Sequence, residues 1–217
     1  MCDRAGAIIR GFDLLRLFLI SCIAVLLTGC DLLFGPWTAP DVAPPVLLPT
    51  PVEVRTAGGT ICNGVRIDGQ TVATAAHCLM DGTDVRIIEA GSTLRATAIT
   101  IHPAYEFLDP SGAAGLDLAK ISVPAPLGTV GEVVIVPVQF GPVEIFVRDT
   151  AGEFQNIRCE YLGQSGTLTE VSCPVRLGWS GAPVVQNGAL VGLLSARGQQ
   201  QTAGVAQIAD ATRLDSF

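Results

Sequence analysis

This sequence is poor in charge, in aromatic side chains and in histidine. Charged residues make up 15% of its 217 positions and aromatics 6%, and there are 2 histidines. So little charge excludes a disordered chain and a coiled coil, both of which carry far more ionic groups. The scarcity of aromatics means that a core must come mainly from Val, Ile, Leu and Ala. Basic residues are in deficit, 13 Lys and Arg against 20 Asp and Glu, for a formal net charge of −7. A protein that tracks nucleic-acid phosphates needs a basic face, so that class is set aside. Long stretches of 3.6-residue periodicity are missing as well. The 24 glycines and 14 prolines favour short elements joined by turns.

The start of the chain reads as a targeting segment. Arg4, Arg10 and Arg16 precede the apolar run Leu17–Leu27. That run is well short of the roughly 20 residues a bilayer-spanning helix needs, and a basic region before a short apolar one is the pattern of a secretory signal. Leu27-Thr28-Gly29-Cys30 resembles the lipobox of bacterial lipoproteins. The resemblance implies lipid attachment at Cys30, cleavage before it, and stable anchoring through two or more acyl chains. Asp31 resembles the signal that retains such proteins in the inner membrane of enteric-type bacteria. Residues 1–29 are then the signal peptide. Residues 30–51 are the lipidated cysteine and a tether, in which six of the fourteen prolines fall between Asp31 and Pro51. Such a spacer extends about 3.1 Å per residue where it adopts polyproline II, holding a domain off the membrane. Val46-Leu47-Leu48 offers some packing surface.

With Cys2 and Cys22 leaving in the signal and Cys30 lipidated, four cysteines remain: Cys62, Cys78, Cys159 and Cys173. An even number in an oxidising compartment points to two disulfides, with three pairings open and Cys62–Cys78 and Cys159–Cys173 the local ones. Zinc would want closer Cys spacing and nearby histidines, so no metal is expected.

Residues 52–217 read as all-β. Thr60–Ile67 and Thr71–Thr74 flank the hairpin dipeptide Asp68-Gly69. Leu116–Val123 is an apolar strand closed by prolines. Val133–Val138, Val143–Val147, Phe154–Leu162 and Thr167–Cys173 form a second series, followed by Pro183–Gln186, Leu190–Ser195 and Ala203–Ile208. Eleven or twelve strands with tight turns imply a barrel or sandwich. A composition break at Pro124–Gly131 divides them, predicting two small barrels (about 52–125 and 131–212) with a cleft between.

Three motifs carry chemistry. Thr74-Ala75-Ala76-His77-Cys78 follows a strand, Leu116-Asp117-Leu118-Ala119 opens another, and Gly178-Trp179-Ser180-Gly181-Ala182-Pro183 lies in a Gly-rich turn. An alcohol attacks a carbonyl only if a base takes its proton, and an imidazole suits that task near neutrality. The conjunction resembles the trypsin/chymotrypsin-like serine proteases: TAAHC is present letter for letter, and the Asp and Ser motifs follow in the family's order. The resemblance implies two six-stranded antiparallel β-barrels with the active site in their cleft. It makes Ser180 the nucleophile, His77 the base, Asp117 its orienting acid, and the amides of Gly178 and Ser180 the oxyanion hole. It also places Cys62 to close the histidine loop on Cys78, and aligns Ser195-Ala196-Arg197 with the strand that binds substrate backbone.

The departures carry information. Trp179 stands where the family has Asp, and no Ile-Val-Gly-Gly start precedes Cys62. No trypsin-type zymogen activation is therefore expected, and the oxyanion loop needs other support, for which the Cys159–Cys173 bridge is a candidate. Pro174 stands where trypsin-like members carry an acid, and none occurs from Cys173 to Ser180, so cleavage after Lys or Arg is disfavoured. Arg176 and Arg197 would suit an acidic side chain. His102 fits no motif and reads as a loop residue. The expected function is a lipid-anchored, cofactor-free serine endopeptidase, monomeric, acting on proteins of the cell envelope from the periplasmic or outer face. The alternative is an inactive form of the same fold that binds peptides or serves as a scaffold.

Overall fold

The computed structural model describes residues 46–49, 51–82, 84–105, 114–124, 131–149, 151–195 and 204–217. The lipidation candidate Cys30, the signal segment and most of the tether lie outside the described residues, as do Ala196 and Arg197. All described residues belong to one compact unit, Pro44–Phe217. Among them no helix is long and apolar enough to cross a membrane.

Fifteen strands are described. The first eight are β1 (Val46–Leu47), β2 (Pro51–Thr56), β3 (Ile61–Arg66), β4 (Thr71–Thr74), β5 (Val85–Glu89), β6 (Ser92–Arg95), β7 (Ala98–Ile101) and β8 (Ala119–Ser122). The rest are β9 (Glu132–Val133), β10 (Pro142–Arg148), β11 (Phe154–Ser165), β12 (Leu168–Ser172), β13 (Pro183–Gln186), β14 (Ala189–Ser195) and β15 (Val205–Asp210). Three short 3-10 turns, Ala76–Leu79, Ala114–Leu116 and Ala211–Ser216, complete the secondary structure. The all-β expectation holds.

The second half closes as expected into a six-stranded antiparallel barrel, in the order β10-β11-β12-β15-β14-β13. Glu144 opposite Val185 and Ile145 opposite Val184 make the closing seam. The first half is instead a curled seven-stranded sheet, β6-β5-β2-β3-β4-β8-β7. The difference arises at Ala96-Thr97. There the Ala96 amide bonds back to Val85 and the Thr97 amide crosses to Ser122. One bent strand is thereby split into β6 on β5 and β7 on β8. The two edges of the sheet are thus consecutive in the chain.

The chain also enters the fold earlier than Val52. Val46 and Leu47, counted above with the tether, pair in parallel with Glu132 and Val133, and Pro51 lies opposite Val65. The expected strand Leu116–Val123 is shortened to β8, because its first residues close a 3-10 turn. Val133–Val138 contributes only β9 and an isolated bridge from Ile135 to Leu190, since it runs between the halves rather than inside one.

Side-chain alternation assigns the cores. Val143, Ile145 and Val147, every second residue of β10, point into the barrel with Val171, Val184, Leu194 and Ile208. Val52, Val54, Val72, Ile87 and Ile121 fill the first sheet. A third cluster joins the halves: Val65, Ala73 and Leu118 pack on Leu190, Leu193 and Ala209. Each fully buried Val, Leu or Ile contributes about 1.5–3 kcal/mol. The junction therefore holds the two halves in a fixed relation, which a site shared between them requires.

Candidate active site

The histidine is positioned by a strand that ends in a turn. After β4, Ala75 stays extended and Ala76–Leu79 curls into a 3-10 turn whose Ala76, Cys78 and Leu79 are buried. Cys62 on β3 is disulfide-bonded to Cys78. The turn is therefore anchored on both sides of His77, and the imidazole is left partly exposed. Cys159 and Cys173 form the second disulfide. Of the three pairings left open, the sequence-local one is present. Cys62 Sγ, Cys78 Sγ and a His77 ring nitrogen lie within 4.8 Å of one another, but the sulfurs are bonded together and offer no thiolate to a metal.

Asp117 sits between the turn Ala114–Leu116 and β8, rather than inside a strand. Gly115 lets that turn press on the second half: a Cβ there would fall 1.8 Å from the Thr167 carbonyl oxygen. Asp117 is fully buried. Its Oδ1 accepts from the His77 amide at 2.8 Å, and its Oδ2 lies 2.6 Å from His77 Nδ1. Ser195 Oγ donates to the same Oδ2 at 2.6 Å. A carboxylate can only accept, so Nδ1 carries the ring proton and the lone pair is on Nε2. Nε2 lies 3.7 Å from Cys78 Sγ. Three hydrogen bonds offset the cost of burying this acid, and they fix both the plane and the tautomer of the imidazole.

Ser180 comes from the other half. Its residue is 8% exposed, and its carbonyl accepts from the Asn63 amide of β3 at 2.7 Å. Gly178 and Gly181 have φ of +85° and +78°, conformations that glycine adopts without a Cβ penalty. At Gly181 a Cβ would meet the Asn63 carbonyl oxygen at 2.1 Å and the Ala75 amide nitrogen at 3.1 Å. The serine turn is thus pressed against the segment two residues ahead of His77. The Ser180 hydroxyl itself makes no protein hydrogen bond among the described residues. The Asp117–His77 contact is formed in this structure, while no hydrogen bond joins His77 to Ser180. In unliganded enzymes that bond is often long and tightens only with substrate in place.

The amides of this turn alternate. Trp179 N–H donates to Arg176 O, Gly181 N–H to Leu194 O and Ala182 N–H to Trp179 O. Gly178 N–H and Ser180 N–H have no protein partner among the described residues. These are the two amides the sequence assigned to an oxyanion hole. Donors held in fixed directions and left unpaired can receive a developing negative charge with little reorganisation.

The chain has the fold of the trypsin-like serine proteases. The sequence profile of the Trypsin family matches residues 41–143, which include His77 and Asp117 and end before Ser180. The active form of the Rv3671c protease from M. tuberculosis superposes with a TM-score of 0.62 at 19% identity, over 78% of this chain and 79% of that one. The scabies mite inactivated protease paralogue S-D1 gives 0.64 at 16%, over 76% and 89%. The serine protease of human pathogenic astrovirus gives 0.61 at 16%, over 81% and 97%. No curated protein matches the chain.

The remaining sequence-predicted residues of this trypsin-like domain fall in varied places. Ser195 ends β14 with its hydroxyl turned to Asp117 and fully buried. Arg176 lies over the Trp179 indole at 5.9 Å. His102 lies just past the end of β7, outside any strand, in keeping with the loop position expected for it. It is buried against the Phe217 ring at 5.0 Å, and its Nδ1 accepts from the Ala104 amide. Burial and the nearby Arg213 hold its imidazole below the ordinary value. Trp179 is buried with Cys159, Cys173 and Val143, so an indole in the barrel core occupies the family's Asp position. Two positioning residues escaped the sequence reading, Asn63 and the hydroxyl of Ser195. The alternation of β3 was the available signal for Asn63, because it puts that residue on the face that Val65 presents to the barrel.

Proposed function

We propose that this chain is a serine endopeptidase working by acyl transfer. Ser180 Oγ bonds to the carbonyl carbon of a peptide, and His77 Nε2 takes the hydroxyl proton. The carbonyl electrons move to oxygen, facing the Gly178 and Ser180 amides. The C–N bond then breaks as His77 returns the proton to the leaving amine. Water enters by the same route: its oxygen bonds to the acyl carbon as His77 takes its proton, then the ester bond to Ser180 breaks as His77 returns that proton to Ser180 Oγ, and the acid product leaves. Asp117 fixes the imidazole and stabilises its cationic form. The single observation that supports this reading most is the buried Asp117 carboxylate on His77 Nδ1, beside a turn whose Gly178 and Ser180 amides are unpaired. Losing one oxyanion donor typically costs about 10²–10³ in rate.

The setting extends the same proposal. Lipid on Cys30 would hold the domain at the bacterial cell envelope, with envelope proteins as substrates. The lack of an acid between Cys173 and Ser180 speaks against a Lys or Arg preference. The second reading, an inactive peptide-binding form, draws on the unbonded Ser180 hydroxyl and on inactivated paralogues among the similar folds. A fluorophosphonate probe on the purified domain separates the two. Labelling at Ser180 that is lost in Ser180→Ala and His77→Ala is the expected result. A folded, disulfide-bonded domain that stays unlabelled refutes the endopeptidase.

A further inference from the structure

The geometry points to Asn63 as a positioning residue that keeps the oxyanion turn formed without a cleaved N-terminus. The inference rests on the endopeptidase reading above. Asn63 is 1% exposed, belongs to the first sheet, and spends its side-chain hydrogen bonds on the second half. Its Nδ2 donates to Gly178 O at 2.8 Å and to Arg148 O at 3.2 Å. Its Oδ1 accepts from the Arg148 amide at 2.7 Å. Its own amide donates to Ser180 O at 2.7 Å, and its carbonyl accepts from Thr74 Oγ1 at 2.6 Å. The orientation of the side-chain amide is not arbitrary. Two carbonyls face one end and an N–H faces the other, so the flipped form would set donor against donor and acceptor against acceptor.

The consequence lies in which peptide planes are held. The Gly178 and Ser180 carbonyls are both drawn to Asn63. The plane between them, Trp179–Ser180, is fixed by the Ala182 N–H to Trp179 O bond. With its carbonyl spent on Ala182, that plane directs the Ser180 N–H to its opposite side. Gly178, at φ +85°, has no side chain to restrain it, and the bond from Asn63 Nδ2 is the side-chain contact on its carbonyl. Burial of Trp179 holds the intervening residue in the barrel core. An amide clasp and a buried indole thus occupy the place where the family resemblance would set an Asp and a freed amine. Neither contact requires chain cleavage.

The test uses the full disulfide-bonded domain and the rate of fluorophosphonate acylation, resolved into kinact and KI. Asn63→Asp keeps the acceptor for the Arg148 amide and removes the donor to Gly178. Asn63→Ala removes both without adding charge. Both variants are expected to lose about 10²-fold in kinact, the size of one oxyanion donor, with KI within about twofold of wild type. Hydrogen exchange should accelerate in the peptide spanning 175–182 and, in Asn63→Ala, at the Arg148 amide that loses its acceptor, and stay unchanged in strands β11, β12, β13, β14 and β15. A kinact within about threefold of wild type overturns the inference. So does a loss matched by faster exchange throughout the barrel, which would make Asn63 a simple core residue. If Asn63→Asp does not fold, Asn63→Ala decides by the same readings. A folded wild type that does not label refutes the endopeptidase and the clasp with it. A labelled wild type with unimpaired Asn63 variants refutes the clasp alone.

Discussion

Trp179→Asp would restore the residue that the family resemblance calls for, and it is expected to wreck this protein. Trp179 is 5% exposed and packs with Cys159, Cys173, Val143 and Leu194. Emptying a buried Trp site costs about 3–5 kcal/mol. The new carboxylate adds several kcal/mol, because burying an unpaired charge is costly. Arg176 lies over the indole and is exposed, so a pair with it would offset only part of that cost. The sum, about 6 kcal/mol or more, is a large part of the 5–15 kcal/mol typical of a folded domain. At roughly 2–4 °C per kcal/mol for a domain of this size, the Tm should fall by about 12–24 °C. Trp179→Phe keeps the site apolar and should cost about 1–3 kcal/mol. Thermal unfolding followed by circular dichroism reads both, with fluorophosphonate labelling in parallel. A Trp179→Asp domain melting within about 4 °C of wild type and labelling at the same rate would refute the reasoning. It would mean that the turn does not depend on the barrel core.

Gly181→Ala meets backbone that cannot yield and a φ of +78°, so it should lose about 2–5 kcal/mol in urea unfolding and slow acylation sharply. Ser195→Ala removes one of the three donors on Asp117; a loss of about 1.5–3 kcal/mol in stability is expected, with slower labelling read on the same gel. The pH dependence follows from His102, whose imidazole is held below its ordinary 6.5. The unfolded chain takes up a proton that the folded one resists. Stability should therefore be full above about pH 6.5 and decline as pH falls toward the folded value. His102→Gln should flatten that decline in urea titrations run across the window; an unchanged slope would remove His102 from the account.

The sequence was most legible where one residue type has one job. Asp68-Gly69 marks a hairpin that the strand register confirms, with β3 on β4. The alternation of Val143, Ile145 and Val147 announces an inward face, and it is one. His77 and Asp117 stand together as their motifs implied. What escaped was set by contacts across the junction. The alternation of β3 marks Asn63 as inward-facing, but nothing local marks its task, because its partners Arg148 and Gly178 lie 85 and 115 positions away. The split between β6 and β7 was hidden for a similar reason. Ala96 and Thr97 look like ordinary strand residues, and only their bonds to Val85 and Ser122 bend the chain there. In the motif Trp179 stands out only as a missing acid; its burial is a property of the barrel, not of the motif.

That split strand also bears on how the domain behaves among other chains. A long unpaired strand edge is a template on which another protein can add a strand, the first step of many aggregates. The second half is a closed ring and offers no such edge among its strands. In the first half the two outer strands, β6 and β7, are four residues each and run into one another through Ala96-Thr97. Arg95, at the end of β6, carries a charge paired with Asp84. Any chain adding to either edge would run out of partners within four residues and meet a bend. In a sequence that is 49% apolar, strand addition at this sheet therefore has little length to grip.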